Sequence, residues 1–224
     1  MESTNKFCSK YCYNSSDVLK NNFDITNKDE LHKIETLVTT YKLGLLEMGK
    51  FPYDLAFDEN HYLNIHKFVF GDIYDFAGEI RSEAIYKSNE PYDVGKTPFC
   101  YPEFIFSHLK ATLNKMKIAA QNINNKEELL FFISYYYAEL NIIHPFREGN
   151  GRVLREFMRE YVIFLNEILL FDAQIINYKN WNEENYKDLL KETIHSTKSD
   201  DISGLIKIFN IVLEPVENEK NKTA

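Results

Sequence analysis

Apolar side chains recur every three or four residues along most of this chain, which is the spacing of one face of an α-helix. The pattern predicts helices over residues 27–49, 59–75, 102–121, 126–142, 150–170, 181–195 and 201–213. Thr26 or Asn27 is suited to cap the first helix, and Gly49 marks its end. Because no repeat or linker separates these segments, we expect them to form one domain.

Residues 76–102 interrupt the helical pattern. Turn-forming and β-forming residues are mixed there, namely Gly78, Ile85, Tyr86, Pro91, Gly95, Pro98 and Pro102. This composition is typical of turns and a β-hairpin. We therefore predict an all-α, mainly helical fold with a small β-hairpin, in a single domain over residues 11–213. The polar ends, residues 1–10 and 214–224, are expected to be flexible.

The composition narrows the class of protein. The chain has 224 residues, of which 44% are apolar and 27% charged, as in ordinary globular proteins. No apolar run approaches the ~20 residues of a membrane span, and the first ten residues lack the apolar core of a signal peptide. Three cysteines, Cys8, Cys12 and Cys100, are too few and wrongly spaced for a disulfide framework or a zinc site. We expect a cytoplasmic protein with no membrane partner.

Charge argues against nucleic acid as a partner but points to a local anion site. The net charge is −8, whereas phosphate backbones need a basic surface. Arginine is nevertheless clustered, since four of the five arginines lie within residues 147–159. The arginines are Arg81, Arg147, Arg152, Arg155 and Arg159. Clustered guanidinium groups suggest a need for planar, forked donors.

The candidate chemistry is concentrated in residues 144–155, which read HPFREGNGRVLR between two predicted helices. Pro145 disfavours the α conformation at His144, so the preceding helix should end there. Gly149 and Gly151 allow the backbone to bend and to approach a ligand closely. The next helix should begin near Asn150, and a helix N-terminus favours phosphate. The segment is therefore predicted to be a phosphate-binding loop that opens a helix.

The remaining side chains of this loop complete a site for a magnesium nucleotide. Arg152 and Arg155 are three residues apart, so both guanidinium groups can reach phosphate oxygens. Glu148 offers a carboxylate of the kind that Mg²⁺ takes together with phosphates. His144 can accept a proton near neutral pH. These residues predict a nucleotide cradle with one base beside it.

This segment matches the motif HxFx(D/E)GNGRxxR of the Fic (filamentation-induced-by-cAMP) family at every specified position. Three other stretches resemble the family as well, namely Phe76-Ala77-Gly78-Glu79-Ile80-Arg81, Thr97-Pro98-Phe99 with Pro102-Glu103-Phe104-Ile105, and Tyr11-Cys12-Tyr13 with the residues that follow. The resemblance extends from about Tyr11 to about Val212. It implies the helical Fic fold with a β-hairpin, called the flap, over the active site.

The resemblance implies a protein adenylyltransferase, which transfers AMP from ATP to a Ser, Thr or Tyr hydroxyl of a target protein. The catalytic loop would be residues 144–152, with His144 as the general base and Phe146 anchoring the loop. Glu148 would bind Mg²⁺; Gly149, Asn150 and Gly151 would form the anion hole; Arg152 and Arg155 would hold the β- and γ-phosphates. The flap, about residues 83–97, would dock the target through Ile85, Tyr86, Lys87, Lys96 and Thr97.

Regulation and target stay open at this point. Many Fic proteins carry an inhibitory helix with the pattern (S/T)xxxE(G/N), whose glutamate pairs with the second motif arginine, here Arg155. Only Thr26 and Glu30 have that spacing, and Leu31 follows instead of Gly or Asn. The chain could be unrestrained, could be inhibited by a glutamate from a small antitoxin, or could use an internal inhibitor outside the pattern.

Several alternatives accompany this prediction. The donor could be another group, such as UMP or phosphocholine, the reaction could be removal of AMP, or the chain could be an inactive binding module. The acceptor could be a type II topoisomerase subunit, as for short bacterial Fic toxins, or the chain itself, and secretion into a host is a further option. Trp181 is expected to be a packing anchor, whereas Tyr178 and Tyr186 could cover the adenine.

Overall fold

The structure is a computed structural model that describes residues 9–88 and 96–216. Its helices are α1 (Lys28–Glu47), α2 (Glu59–Phe70), α3 (Pro102–Ala120), α4 (Lys126–Ile143), α5 (Asn150–Leu165), α6 (Glu183–Ser199) and α7 (Ser203–Val212). Its strands are β1 (Tyr86–Ser88), β2 (Lys96–Pro98), β3 (Gln174–Ile176) and β4 (Leu213–Pro215), and a 3₁₀ turn covers Tyr178–Asn180. The predicted mainly helical fold with a small hairpin is confirmed.

Short polar side chains set the start of most helices. Asn27, Asp58, Asn125 and Asn182 each accept a hydrogen bond from a backbone N–H in the first turn of α1, α2, α4 and α6. Such caps satisfy N–H groups that have no acceptor within the helix. Asn27, one of the two caps predicted for α1, takes this role, and Thr26 lies outside the helix.

Two helices end earlier than their apolar pattern predicts. Helix α2 stops at Phe70 rather than near residue 75, because the backbone turns there and the N–H of Ile73 bonds to the Phe70 carbonyl. Helix α5 stops at Leu165 rather than near 170. The Asn166 side chain exchanges two hydrogen bonds of 2.9 Å with the backbone of Gln174, which turns the chain out of the helix. Apolar residues beyond these ends still pack into the core, so the apolar spacing continued past the true end of each helix.

Helices α4 and α5 form the centre of the molecule. Helix α4 packs against α3, α5, α6 and α7, and α5 packs in addition against α2. Their inward residues, such as Ile133, Val153 and Phe157, are fully buried. The loop that joins the two helices therefore has both of its ends anchored in the core. This rigid support matters because the loop carries the candidate site.

Two small antiparallel sheets flank the helices. In the first, Tyr86 pairs with Pro98 and Ser88 with Lys96, which confirms the predicted hairpin strands. The residues between them, 89–95, lie outside the described part of the chain. In the second sheet Gln174 pairs with Pro215, a pairing that the pattern did not predict because three-residue strands show no clear alternation.

The predicted flexible ends need a partial correction. Glu214 and Pro215 belong to strand β4 instead of a free tail, and residues 217–224 lie outside the described part. At the other end the Ser9 hydroxyl and the Lys10 N–H both donate to the Glu83 carboxylate, while residues 1–8 lie outside the described part. Within residues 9–88 and 96–216, no helix combines the length and apolar character needed to cross a membrane.

Candidate active site

His144 occupies the junction between α4 and the loop. It has a left-handed backbone, with φ 47° and ψ 62°, as the C-cap of α4, which agrees with the helix end predicted from Pro145. The Nδ1 atom lies 3.3 Å from the Asn141 carbonyl, an acceptor, so Nδ1 carries the ring proton. The lone pair is then on Nε2. The imidazole is thus in the tautomer that a general base requires at Nε2.

Two further residues surround His144. The Phe99 ring stacks on the imidazole with centroids 3.7 Å apart and planes 14° apart. The Nε of Arg81 donates to the His144 carbonyl at 2.8 Å, and the Arg81 N–H donates to the Pro145 carbonyl at 2.9 Å. The left-handed conformation, uncommon for a residue with a Cβ, is therefore held by hydrogen bonds on its C-terminal side.

Asn150 closes the loop on itself. Its side-chain oxygen accepts from the Phe146 N–H at 2.9 Å, and its amide donates to the Phe146 carbonyl at 2.8 Å. The Phe146 side chain is fully buried, as expected of a loop anchor. Since the Asn150 side chain is fixed by these two hydrogen bonds, we expect Asn150 to contribute its backbone N–H to an anion hole. The N–H groups of Arg152 and Val153 donate to the Gly149 carbonyl, whereas those of Asn150 and Gly151 have no acceptor within the helix and can face a ligand.

His66 supports the same loop from α2. The Gly78 N–H donates to Nδ1 at 2.8 Å, so Nε2 carries the proton and donates to the Glu148 carbonyl at 3.0 Å. The ring stacks on Phe146 with centroids 3.9 Å apart. Burial lowers the pKa of His66 to about 3, which keeps the imidazole neutral. His66, which the sequence did not single out, joins the turn at Gly78 to the loop.

Gly149 is required by both conformation and space. Its φ is +79°, in the left-handed region that side chains avoid. A Cβ at this position would lie 2.3 Å from the Phe70 ring. The backbone at the start of α5 therefore passes directly over a fully buried aromatic ring. This explains the first glycine of the Gly-Asn-Gly sequence without reference to any ligand.

Glu148 has the surroundings of a metal ligand that acts together with phosphates. Its side chain is 42% exposed, and its Oε1 accepts from the Gly149 N–H at 2.8 Å. Among the described residues no group of three or more His, Cys, Asp or Glu could hold a metal alone. A single hard carboxylate beside a helix N-terminus fits Mg²⁺, which takes one or two carboxylates and completes its shell with phosphates and water.

Arg152 is held by a residue that the sequence did not single out. Its Nη2 lies 2.7 Å from Glu35 Oε1 and 3.3 Å from Glu148 Oε1. Glu35 is a buried residue of α1, and its other oxygen accepts from the Tyr74 hydroxyl, whose pKa is raised by burial and by this acceptor. The sequence could have indicated this role of Glu35, because Glu35 follows the buried Leu31 by four residues and is therefore an acidic residue on the buried face of α1.

A cleft of about 470 Å³ lies between α1 and the loop, and it is bordered by Glu35, Tyr74, Glu148, Arg152 and Arg147.

Arg159, the last of the clustered arginines, does not line this cleft. The Arg159 guanidinium lies 2.6 Å from the Glu156 carboxylate in a buried pair and also donates to the Leu46 carbonyl. Arg159 therefore stabilises the core, so the arginine cluster serves two purposes.

Arg155, on the second turn of α5, lies among aromatic rings. Its guanidinium carbon is 5.4 Å from the centroid of the Tyr186 ring, and its carbonyl accepts from the Tyr178 hydroxyl at 3.1 Å. The two tyrosines that were considered for the adenine thus lie next to the second motif arginine. Trp181, packed on both rings and 6% exposed, donates from Nε1 to the Ile208 carbonyl, which confirms it as a packing anchor.

Among the described residues, Glu30, which follows Thr26 at the spacing of the inhibitory pattern, is not an ion-pair partner of a motif arginine. Glu30 is an exposed residue of the first turn of α1, whose N–H bonds to the Asn27 cap. Within residues 9–88 and 96–216, no carboxylate forms an ion pair with Arg155. The carboxylates that do contact a motif arginine are Glu35 and Glu148, and both lie on Arg152.

The segment that follows the second strand of the flap hairpin contacts His144. Ile85 is half-buried and Tyr86 is 53% exposed. Lys87, Lys96 and Thr97 lie in the paired strands, where Lys87 opposes Thr97. Phe99 and Cys100 follow β2 directly and reach the catalytic loop and α4. The hairpin is therefore tied to the loop that carries His144.

Comparison with known proteins gives consistent results. The model of the Fic/DOC family matches residues 56–162. The chain is 27% identical to the probable protein adenylyltransferase Fic of Escherichia coli over 211 residues, which are 93% of this chain and 94% of that protein. It is 33% identical to the probable protein adenylyltransferase y4lH of Sinorhizobium fredii over 151 residues, 66% of this chain and 71% of that protein.

The fold is shared with solved structures. The BepC protein of Bartonella tribocorum, crystallised with bound AMPPNP, superposes with a TM-score of 0.74 and 18% identity. The match covers 92% of this chain and 97% of that one. With the motif, the fold and the relatives in agreement, the chain belongs to the Fic/DOC family.

Proposed function

We propose that this chain is a protein adenylyltransferase that transfers AMP from ATP to a hydroxyl group of a target protein, with His144 as the general base. The observation that carries the proposal is the position of His144. The residue is held in a left-handed turn, has its lone pair on Nε2, and lies six residues before the open N-terminus of α5. A base and a phosphate site thus share one rigid loop.

The reaction follows from this arrangement. Nε2 of His144 takes the proton of a Ser, Thr or Tyr hydroxyl, and the hydroxyl oxygen attacks the α-phosphorus of ATP. The bond between the α-phosphorus and the bridging oxygen breaks, and pyrophosphate leaves with the electron pair. Such transfers depend mainly on positioning and charge neutralisation. General base catalysis contributes about 10²–10⁴-fold.

The start of α5 supplies the phosphate contacts. The backbone N–H groups of Asn150 and Gly151 and the positive end of the helix dipole face the anion. Arg152 and Arg155 follow on the first turns, and their forked donors are suited to the β- and γ-phosphates. Glu35 orients Arg152 from α1. Tyr186, beside Arg155 and 41% exposed, is suited to cover the nucleotide.

Glu148 would hold Mg²⁺ together with the phosphates. The ion, when bound, supplies positive charge that neutralises the phosphate oxygens. The carboxylate is positioned for this by its own backbone, since the Glu148 carbonyl accepts from His66 and the adjacent Gly149 N–H donates to Oε1.

The acceptor would bind along the flap. A short exposed β-strand edge can pair with an extended segment of another protein, and backbone hydrogen bonds would then place the hydroxyl near His144. The names of the relatives, protein adenylyltransferases, support a protein acceptor, and the AMPPNP in BepC supports an adenine nucleotide as donor. The family resemblance further supports a type II topoisomerase subunit as acceptor, a small antitoxin as inhibitor and a role as a bacterial toxin, and the composition supports a cytoplasmic location.

The test uses ATP labelled at the α-phosphate, with Mg²⁺, and the wild-type chain alone and with a bacterial lysate. We expect a labelled protein band, no band with ATP labelled at the γ-phosphate, and loss of the band in His144→Ala. His195→Ala, which removes a half-exposed histidine of α6, is the matched control and should label like wild type. Mass spectrometry of the band identifies the acceptor residue, including self-modification.

The proposal fails if His144→Ala labels at the wild-type rate, or if only the γ-label is transferred. Calorimetric titration with AMPPNP separates two further cases. Nucleotide binding without any labelled product from the lysate would make the chain a binding module. Labelling with UTP but not with ATP would assign another donor.

A further inference from the structure

The ring of Phe99 covers one face of the His144 imidazole. The two centroids are 3.7 Å apart, the planes differ by 14°, and Phe99 is only 9% exposed. The next residue, Cys100, donates from its N–H to the Ile142 carbonyl at 3.0 Å, which fixes this segment on the last turn of α4. A parallel ring at this distance leaves the imidazole little room to turn about its Cβ–Cγ bond.

Arg81 joins the two backbone segments that carry these rings. Its Nε donates to the His144 carbonyl at 2.8 Å, and its Nη2 donates to the Cys100 carbonyl. The side chain is 1% exposed. Because the guanidinium is a rigid planar group, it sets the distance between the two segments. The stack is therefore the result of a rigid connection between the catalytic loop and the end of the flap.

We propose that Phe99 is a positioning residue of the transfer reaction. Its ring holds the His144 imidazole in the plane from which Nε2 meets the acceptor hydroxyl, and Arg81 holds the two backbones at the distance that makes the stack. This inference rests on the proposed role of His144 as general base. It adds to that role a cause for the orientation of the base, supplied by a residue that need not touch the nucleotide or the acceptor.

The two explanations of the stack differ in what they predict. If Phe99 only fills space, another apolar side chain of similar volume should replace it with little effect on the rate. If the flat ring orients the base, a branched side chain should lower the maximal rate and leave ATP binding unchanged. A misplacement of about 1 Å costs on the order of 10²-fold in rate.

The experiment compares Phe99→Leu, which removes the flat ring, with Phe99→Tyr, which retains it. Phe104→Leu is the matched control, because Phe104 also lies near a histidine ring, that of His108 at 6.1 Å, but on the exposed side of α3. Label incorporation from α-labelled ATP into the lysate acceptor is measured against ATP concentration. Thermal unfolding is recorded first, and Phe99→Met replaces Phe99→Leu if that variant does not fold.

We expect Phe99→Leu to lower the maximal rate by about 10- to 100-fold, with the KM for ATP unchanged within about twofold. Phe99→Tyr should restore the rate to within about threefold, and Phe104→Leu should resemble wild type. The proposal is overturned if Phe99→Leu keeps the wild-type rate, if its loss appears in KM instead, or if Phe99→Tyr is as slow as Phe99→Leu.

A second readout does not depend on transfer. In protein with ¹³C-labelled histidine, the ring protons of His144, assigned by His144→Ala, should be displaced upfield by the ring current of Phe99. The displacement should vanish in Phe99→Leu and persist in Phe99→Tyr. If wild type transfers no label, the proposed function fails by itself, and the NMR spectra still decide the positioning. Ring-proton shifts that are identical in wild type and Phe99→Leu would refute it.

Discussion

The free energy of unfolding should fall between pH 8 and pH 4.5, because His66 binds a proton in the unfolded chain but stays neutral in the folded one. The variant His66→Gln tests this directly. The imidazole is fully buried, accepts from the Gly78 N–H at Nδ1 and donates to the Glu148 carbonyl at Nε2. A second proton would have to be placed on Nδ1, against an N–H that already points at it. Burial lowers the pKa of His66 from 6.5 to about 3.

The sign follows from proton binding. Between pH 3 and pH 6.5 the unfolded chain binds a proton at His66 and the folded chain does not, so the free energy of unfolding falls as the pH is lowered. Well above pH 6.5 His66 is neutral in both states, so the free energy of unfolding is not lowered there. At about 1.4 kcal/mol for each pH unit below 6.5, the loss at pH 4.5 is about 3 kcal/mol. The figure hardly changes as long as the folded pKa stays below about 4.

The assay is urea-induced unfolding of wild type and His66→Gln at several pH values. Because glutamine does not titrate, the difference in unfolding free energy between the two proteins should shrink by about 3 kcal/mol from pH 8 to pH 4.5. His32→Gln, the same substitution at an exposed position of α1, is measured as the control. A constant difference for His66→Gln would refute the neutral, buried state of this ring.

Two further predictions concern other residues near the loop. Gly149→Ala should destabilise the chain by at least about 2 kcal/mol and abolish AMPPNP binding, because φ is +79° and the added Cβ would lie 2.3 Å from an aromatic ring. Gly44→Ala, in a helical position with open space around it, should instead stabilise by about 1 kcal/mol, and thermal unfolding of both variants checks the contrast. Glu35→Ala should cost about 2 kcal/mol, since it leaves the largely buried Arg152 guanidinium with only the more distant Glu148 carboxylate. In a double-mutant cycle with Arg152→Ala, measured by urea unfolding, a coupling near zero would contradict this reading.

Local sequence determined the helices and the start of the site. Asn27 and Asn125 cap α1 and α4 through hydrogen bonds to residues three positions away. A few neighbouring residues are therefore enough to predict where these helices begin. Pro145 ends α4 at His144 through a clash with its immediate neighbour. The Gly-Asn-Gly-Arg sequence likewise indicated a loop that opens a helix. Short-range physics makes such features readable without a fold.

Residues distant in sequence were decided by the tertiary structure. Glu35 and Arg152 are separated by 117 positions, and His66 and Glu148 by 82. Phe99 meets His144 only because Arg81 brings the two segments together. Strands β3 and β4 pair although helices α6 and α7 lie between them in the sequence. Neither the apolar periodicity nor the helix caps in the sequence predict such contacts. They depend on where packing of whole helices places a side chain, and packing is a property of the complete set of apolar faces.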